Sequence, residues 1–166
     1  MKKVLPINVL EIVRQLNFKV FEADFKDPSL SGMMVDSMNK VEIFDCKRAI
    51  ILNTNENSGV QAFTIAHEIA HFSLHCNESK EFFEAYDITR NKEREEMAFE
   101  ERKKQVVEDD TDSFATSLLM PTSLFQEYYY RLKSGKSIEN LTLELAKIFM
   151  VEEEAIERRY KEVRIV

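Results

Sequence analysis

Apolar residues near the start of the chain recur first at helical spacing and then alternate with polar ones. Asn8 precedes the helical stretch and is a suitable N-cap, so the pattern predicts a helix over residues 8–16. The alternation in Phe18–Glu22 predicts a half-buried strand directly after it. The residues that repeat at helical spacing are Val9, Ile12, Val13 and Leu16.

The next part of the chain has the pattern of a small sheet. Three stretches have β-like composition, and two short polar segments between them, Ser37–Lys40 and Asp45–Lys47, predict hairpin turns. Residues 53–59 predict a loop. The three predicted strands are Met33–Val35, Val41–Phe44 and Ala49–Leu52. Because the connections are short, we predict that this sheet is mostly antiparallel.

Beyond residue 60 the hydrophobic pattern is helical. Residues 60–76 are strongly apolar, which predicts a buried helix, and a second apolar stripe leads from Val106 to Pro121, where proline ends it. The dense, mixed charges of residues 79–104 predict a solvated helix or a mobile excursion between the two. Three further helices are predicted over residues 122–133, 138–149 and 152–163.

The predicted elements give an α+β fold in which the small sheet packs on a helical core. A length of 166 residues suits one domain, 1–166, with an N-terminal helix and sheet (1–57), a central helical part (58–121) and C-terminal helices (122–166). The net charge of −7 argues against a general affinity for nucleic acid or for anionic membranes.

The sequence favours a cytoplasmic location. Met1–Lys3 resembles the start of a signal peptide, but Asn8, Glu11 and Arg14 interrupt the apolar run that would have to follow. No segment approaches the roughly 20 apolar residues of a membrane span. Cys46 and Cys76 are too few to indicate a disulfide framework and are expected to be reduced.

Candidate chemistry is concentrated in Ala66–His75, which holds all three histidines of the chain. His67 and His71 are four residues apart, so a helix places both imidazoles on one face, where they can bind one metal ion. Glu68 can then reach a water on that ion without binding the ion itself. This is the H-E-x-x-H pattern of zinc hydrolases.

Such a site needs a third protein ligand. On a continuous helix His75 lies about 12 Å along the axis from His67, which is too far to share an ion. Glu108 and Asp112, in contrast, resemble the E-x-x-x-D of the second helix in thermolysin-type gluzincins. That resemblance implies a zincin-like core in which Glu108 is the third ligand and Asp112 hydrogen-bonds a ligand histidine.

Two motifs together resemble the ImmA/IrrE family of metallopeptidases. Phe63–His71 is similar to the family core F-T-x-A-H-E-x-x-H, and Glu108, Phe114-Ala115 and Leu118–Pro121 are similar to its E-x-x-x-x-x-F-A-x-x-L-L-M-P signature. The resemblance covers about residues 8–160. It implies a cytoplasmic peptidase of mobile elements or stress responses that cleaves one protein partner, a transcriptional repressor or an antitoxin.

The expected cofactor is Zn²⁺, with Mn²⁺ as the alternative, held by His67, His71 and Glu108. The ion would lower the pKa of its water, and Glu68 would act as the general base. His75 is a candidate for stabilising the oxyanion or contacting substrate, as is the Tyr128–Tyr130 cluster.

Two other functions are compatible with the sequence. The protein could bind metal and sequester its partner as an anti-repressor without cutting it. Residues 138–149 and 152–163 also resemble a helix-turn-helix, but Glu152–Glu154 would open the second helix and face DNA phosphates with three negative charges. A structural helix pair or a surface for docking the partner is therefore the preferred interpretation, and direct binding of nucleic acid is not expected.

Overall fold

The computed structural model describes the backbone of residues 6–75, 82–87 and 99–165, and the side chains of residues 6–37, 39–74 and 105–165. Within these residues the chain forms a four-stranded sheet and six helices, so the predicted α+β class is confirmed. In chain order the elements are α1 (Val9–Gln15), β1 (Lys19–Ala23), β2 (Leu30–Val41), β3 (Cys46–Asn53), α2 (Ser58–His75), β4 (Phe82–Asp87), α3 (Phe99–Leu119), α4 (Thr122–Leu132), α5 (Ile138–Phe149) and α6 (Glu153–Glu162).

The sheet has the strand order β1-β3-β2-β4 and is mixed. β1 pairs in parallel with β3, whereas β2 pairs antiparallel with both β3 and β4, so the prediction of a mostly antiparallel sheet is confirmed. Ile50 of β3 lies between Val20 of β1 and Met34 of β2. The second half of β3 is buried throughout, as expected for a central strand that is covered on both faces.

The predicted hairpin turn at Ser37–Lys40 and the predicted strand Val41–Phe44 are both wrong. Ser37–Lys40 belongs to β2, and the register with β3 shifts between Asp36 and Val41, so these residues form an irregular, bulged part of one long strand. A mostly polar stretch is compatible with either structure, because a bulge interrupts regular strand pairing just as a turn does. The actual reversal is a 3₁₀ turn at Glu42–Phe44, followed by Asp45 in the left-handed region.

The interpretation of residues 79–104 as a solvated helix or excursion is also wrong in part. Phe82–Asp87 forms β4, which pairs antiparallel with β2 at one edge of the sheet. This stretch contains three aromatic residues and precedes the charge run that begins at Arg90, so its own composition favours a strand. α3 begins at Phe99. Residues 76–81 and 88–98 lie outside the described residues.

α2 starts at a side-chain cap and packs closely against the sheet. Asn57 caps its start by accepting hydrogen bonds from the backbone N–H groups of Gly59 (2.8 Å) and Val60 (3.1 Å). A Cβ atom on Gly32 of β2 would lie only 2.5 Å from Thr64 Cγ2, so the absence of a side chain at Gly32 permits this approach. α2 packs on β2 and β3 of the sheet and also on α3.

The C-terminal helices form where the sequence predicts them and enclose a common core with the rest of the fold. Ser137 caps α5 by accepting a hydrogen bond from the backbone N–H of Asn140, and Phe149 of α5 packs on Phe125 of α4 with ring centroids 5.7 Å apart. The same buried cluster includes Ile69 of α2. The side chains that support the histidine helix therefore come from both ends of the chain.

The length and hydrophobicity of the helices bear on a membrane span, and the state of the cysteines bears on a disulfide pairing. In the part of the chain that the structure describes, no helix is both long enough and apolar enough to cross a membrane. Cys46 has a free thiol, and Cys76 lies outside the described residues.

Candidate metal centre

The two histidines of the motif face each other across one turn of α2. His67 and His71 are almost completely buried, and their Nε2 atoms are 2.9 Å apart. Their rings meet edge to face, with centroids 4.6 Å apart. Two neutral imidazoles directed at one point in this way can both offer a lone pair to the same cation.

α3 brings a carboxylate to the same point. Glu108 Oε2 is 3.4 Å from His67 Nε2 and 3.7 Å from His71 Nε2. All three ligand atoms lie within 4.8 Å of one another, which makes these residues a group that could hold a metal ion. The structure thus brings together the three side chains that the sequence analysis selected as ligands, although Glu108 is separated from His67 by 41 positions in the chain.

The donor set suits a first-row divalent metal. Two ligands about 2.0–2.2 Å from a tetrahedral Zn²⁺ are about 3.3–3.6 Å apart, and the three observed separations of 2.9, 3.4 and 3.7 Å bracket that range. Two imidazoles and one carboxylate form a set found in catalytic zinc sites, where a fourth position stays open to water. Mn²⁺ accepts nitrogen and carboxylate ligands as well.

Asp112 is hydrogen-bonded to His67 through the ring nitrogen Nδ1. His67 Nδ1 and Asp112 Oδ1 are 2.9 Å apart, and both side chains are buried. An ionised carboxylate can only accept, so Nδ1 is the donor, and the Nε2 lone pair is left for a metal ion. Asp112 lies one helical turn after Glu108, which is the relation that E-x-x-x-D suggested.

The electrostatics of the metal-free centre couple the two helices. Burial by itself lowers the pKa of His67, but hydrogen bonds with Asp112 and Glu108 and the charge of Glu68 outweigh it and raise the pKa to about 9. Burial by itself raises the pKa of Glu108, but hydrogen bonds with His67 and His71 outweigh it and hold the pKa well below its usual range. Without metal, the centre therefore contains an imidazolium–carboxylate pair at neutral pH.

We expect the affinity for Zn²⁺ to rise with pH up to about pH 9. Below that pH a metal ion must displace the proton of His67, so the apparent association constant should increase about tenfold per pH unit. Glu108 is already ionised and adds no dependence in this range. Competition with a chromophoric chelator between pH 6.5 and 8.5, corrected for the chelator's own protonation, measures the slope. An affinity independent of pH would contradict the raised pKa.

Glu68, the predicted general base, lies inside the protein beside the histidines. Its side chain is fully buried, and its negative charge contributes to the raised pKa of His67. A buried carboxylate next to a metal centre is placed where proton transfer can occur away from bulk water.

Both predicted oxyanion contacts stay predictions. α2 extends to His75, but the side chain of His75 lies outside the described residues, so its role stays a prediction. In the Tyr128–Tyr130 cluster, the ring of Tyr128 packs on Phe149 and that of Tyr129 on Tyr160. These contacts give both rings a packing function in the C-terminal helices.

Arg158 of α6 also reaches this site, although nothing in the sequence indicates it. Its Nη1 atom forms an ion pair with Asp112 Oδ2, whereas the hydrogen bond with His67 is made by Oδ1. No local pattern could indicate this contact, because Arg158 stands in a charge-rich helix far along the chain from Asp112. Only the packing of α6 on α3 brings the two together.

Comparison with known proteins identifies a family for the chain. A family model described as Peptidase_M78: IrrE N-terminal-like domain matches residues 13–161, which include both motifs and every residue of the centre. No curated protein matches the chain significantly.

Proposed function

The chain belongs to the IrrE-like Peptidase M78 family, and we propose that it is a zinc-dependent endopeptidase. The observation that carries this proposal is the convergence of His67 Nε2, His71 Nε2 and Glu108 Oε2 within 4.8 Å of one another. The buried Glu68 next to His67 supports it. When bound, the ion supplies Lewis acidity towards water and the substrate carbonyl.

In this proposal each residue of the site has a defined role. His67, His71 and Glu108 hold the ion, and Asp112 keeps the His67 ring in the orientation and tautomer that binding requires. Glu68 accepts a proton from the attacking water and delivers it to the nitrogen of the leaving amine. Its burial keeps that proton from exchanging with bulk solvent during the step.

We propose a specific cytoplasmic protein, a transcriptional repressor or an antitoxin, as the substrate. This part rests on the resemblance to the ImmA/IrrE family. The charge of −7 is consistent with a protein partner and with the expectation that nucleic acid is not bound directly.

The arrangement of α6 supports that expectation. Its first turn carries acidic Glu153 and Glu154, which would repel a DNA backbone. Of its arginines, Arg158 pairs with Asp112, and the buried Arg159 bonds to Ser117 and Thr122. Both arginines are thus bonded to other helices of the fold, in contrast to the free arginines of a recognition helix.

The direct test is metal-dependent cleavage of a candidate partner. The purified protein, stripped with a chelator and reloaded with Zn²⁺ or Mn²⁺, is incubated with repressors and antitoxins encoded beside its gene. We expect two fragments whose masses sum to the substrate plus one water, and only with the reloaded protein. Equal cleavage by the stripped protein, or intact partners after incubation with the metal-loaded protein, would contradict the proposal.

A further inference from the structure

We propose that Arg158 is a positioning residue of the metal centre, which acts through Asp112 to hold His67 in its metal-binding orientation. The inference rests on the proposed metal site. Three side chains form a continuous line from α6 through α3 to α2: Arg158 contacts Asp112, and Asp112 contacts His67.

Each oxygen of the Asp112 carboxylate has its own partner. Oδ1 accepts from His67 Nδ1 at 2.9 Å, and Oδ2 pairs with Arg158 Nη1. With one partner, a carboxylate can turn about its χ2 bond and still keep a hydrogen bond. With two partners on different helices, both its position and its plane are defined, and so is the direction from which it holds the imidazole.

Burial makes the arginine important for the carboxylate. The side chain of Asp112 is 8% exposed, so water can compensate little of its charge, whereas Arg158 is 31% exposed. A pair at the protein surface with both partners solvated would contribute little. Here the arginine supplies the positive partner for an anion that the fold has withdrawn from solvent.

The backbone beneath Arg158 is itself anchored. Arg159, the next residue, donates from Nη1 to Ser117 Oγ (3.0 Å) and from Nη2 to Thr122 Oγ1 (2.7 Å), at the end of α3 and the start of α4. These bonds fix α6 against the helix that carries Glu108 and Asp112. The backbone that carries Arg158 is therefore held in place relative to Asp112, which a positioning residue requires.

The test is the Zn²⁺ affinity of R158Q, measured by chelator competition. Glutamine keeps a hydrogen-bond donor but removes the charge, and we expect about tenfold weaker binding, the lower end of the range for outer-shell partners. K161Q removes the same charge from an exposed position of the same helix and should bind Zn²⁺ like the wild type. R158K keeps a cation that can reach Oδ2, and we expect it to bind within about threefold of the wild type.

A double-mutant cycle with D112N separates positioning from a general effect on the fold. If Arg158 acts through Asp112, R158Q should weaken Zn²⁺ binding in the wild-type background and change it less than twofold in the D112N background. The Co²⁺ absorption spectrum should change in R158Q and D112N but not in K161Q.

Two results would overturn the inference while the metal site itself stands. One is wild-type affinity in R158Q, and the other is an equal loss from R158Q in both backgrounds. A wild-type protein that binds no Zn²⁺ would instead overturn the proposed function, and this inference with it.

Discussion

Replacing Glu68 by glutamine is expected to abolish cleavage while one metal ion stays bound per chain. The carboxylate lies beside the candidate ligands, but it is not among the three converging ligand atoms, so the amide should leave metal binding intact. The amide cannot accept the proton of the attacking water. General acid–base catalysis contributes about 10²–10⁴-fold, so kcat should fall by at least about a hundredfold.

The measurement pairs metal analysis of the purified variant with a time course of partner cleavage. E139Q makes the same exchange at an exposed position of α5 and should retain both metal and activity. Cleavage by E68Q at the wild-type rate would rule out Glu68 as the base. If E68Q cuts nothing and still relieves repression by binding the partner, relief does not require cutting, which would favour the function of a metal-bearing anti-repressor.

Replacing Glu108 by alanine is expected to empty the centre. His67 and His71 alone provide two neutral ligands, and the lost carboxylate was the only anion among the three converging atoms. Outer-shell changes already cost 10- to 100-fold in metal affinity, so loss of a direct ligand should exceed about a hundredfold. Cleavage should be lost with the metal.

Zinc content after purification and Zn²⁺ affinity by chelator competition both report on E108A. D110N removes an exposed carboxylate two residues further along α3 and should keep wild-type affinity. Circular dichroism in the presence of a chelator checks that the variant keeps the helical content of the wild type. Full zinc content in folded E108A would show that the third ligand lies elsewhere.

Much of the helical part of the fold follows from local patterns. Asn8 caps α1 where the sequence predicts, because a cap is an interaction between residues two or three positions apart, and Ser137 caps α5 at the predicted start of that helix. The sheet was harder to predict. Ser37–Lys40 has the composition of a turn but lies inside β2, since only pairing with β3 and β4 decides whether a polar stretch reverses or bulges. The prediction for residues 79–104 overlooks the strand β4, because the charged residues from Arg90 onwards dominate the composition of that stretch.

The candidate site likewise combines local relations between residues with contacts between distant parts of the chain. The relation of His67 to His71 follows from their spacing alone, because the pitch of a helix places residues four apart on one face. Glu108 was selected by resemblance, and its distance from His67 depends on how α3 packs against α2. Arg158 could be found only in the tertiary structure. Its contact with Asp112 joins two helices that are distant in the chain, and no short-range rule of propensity or periodicity specifies such a contact.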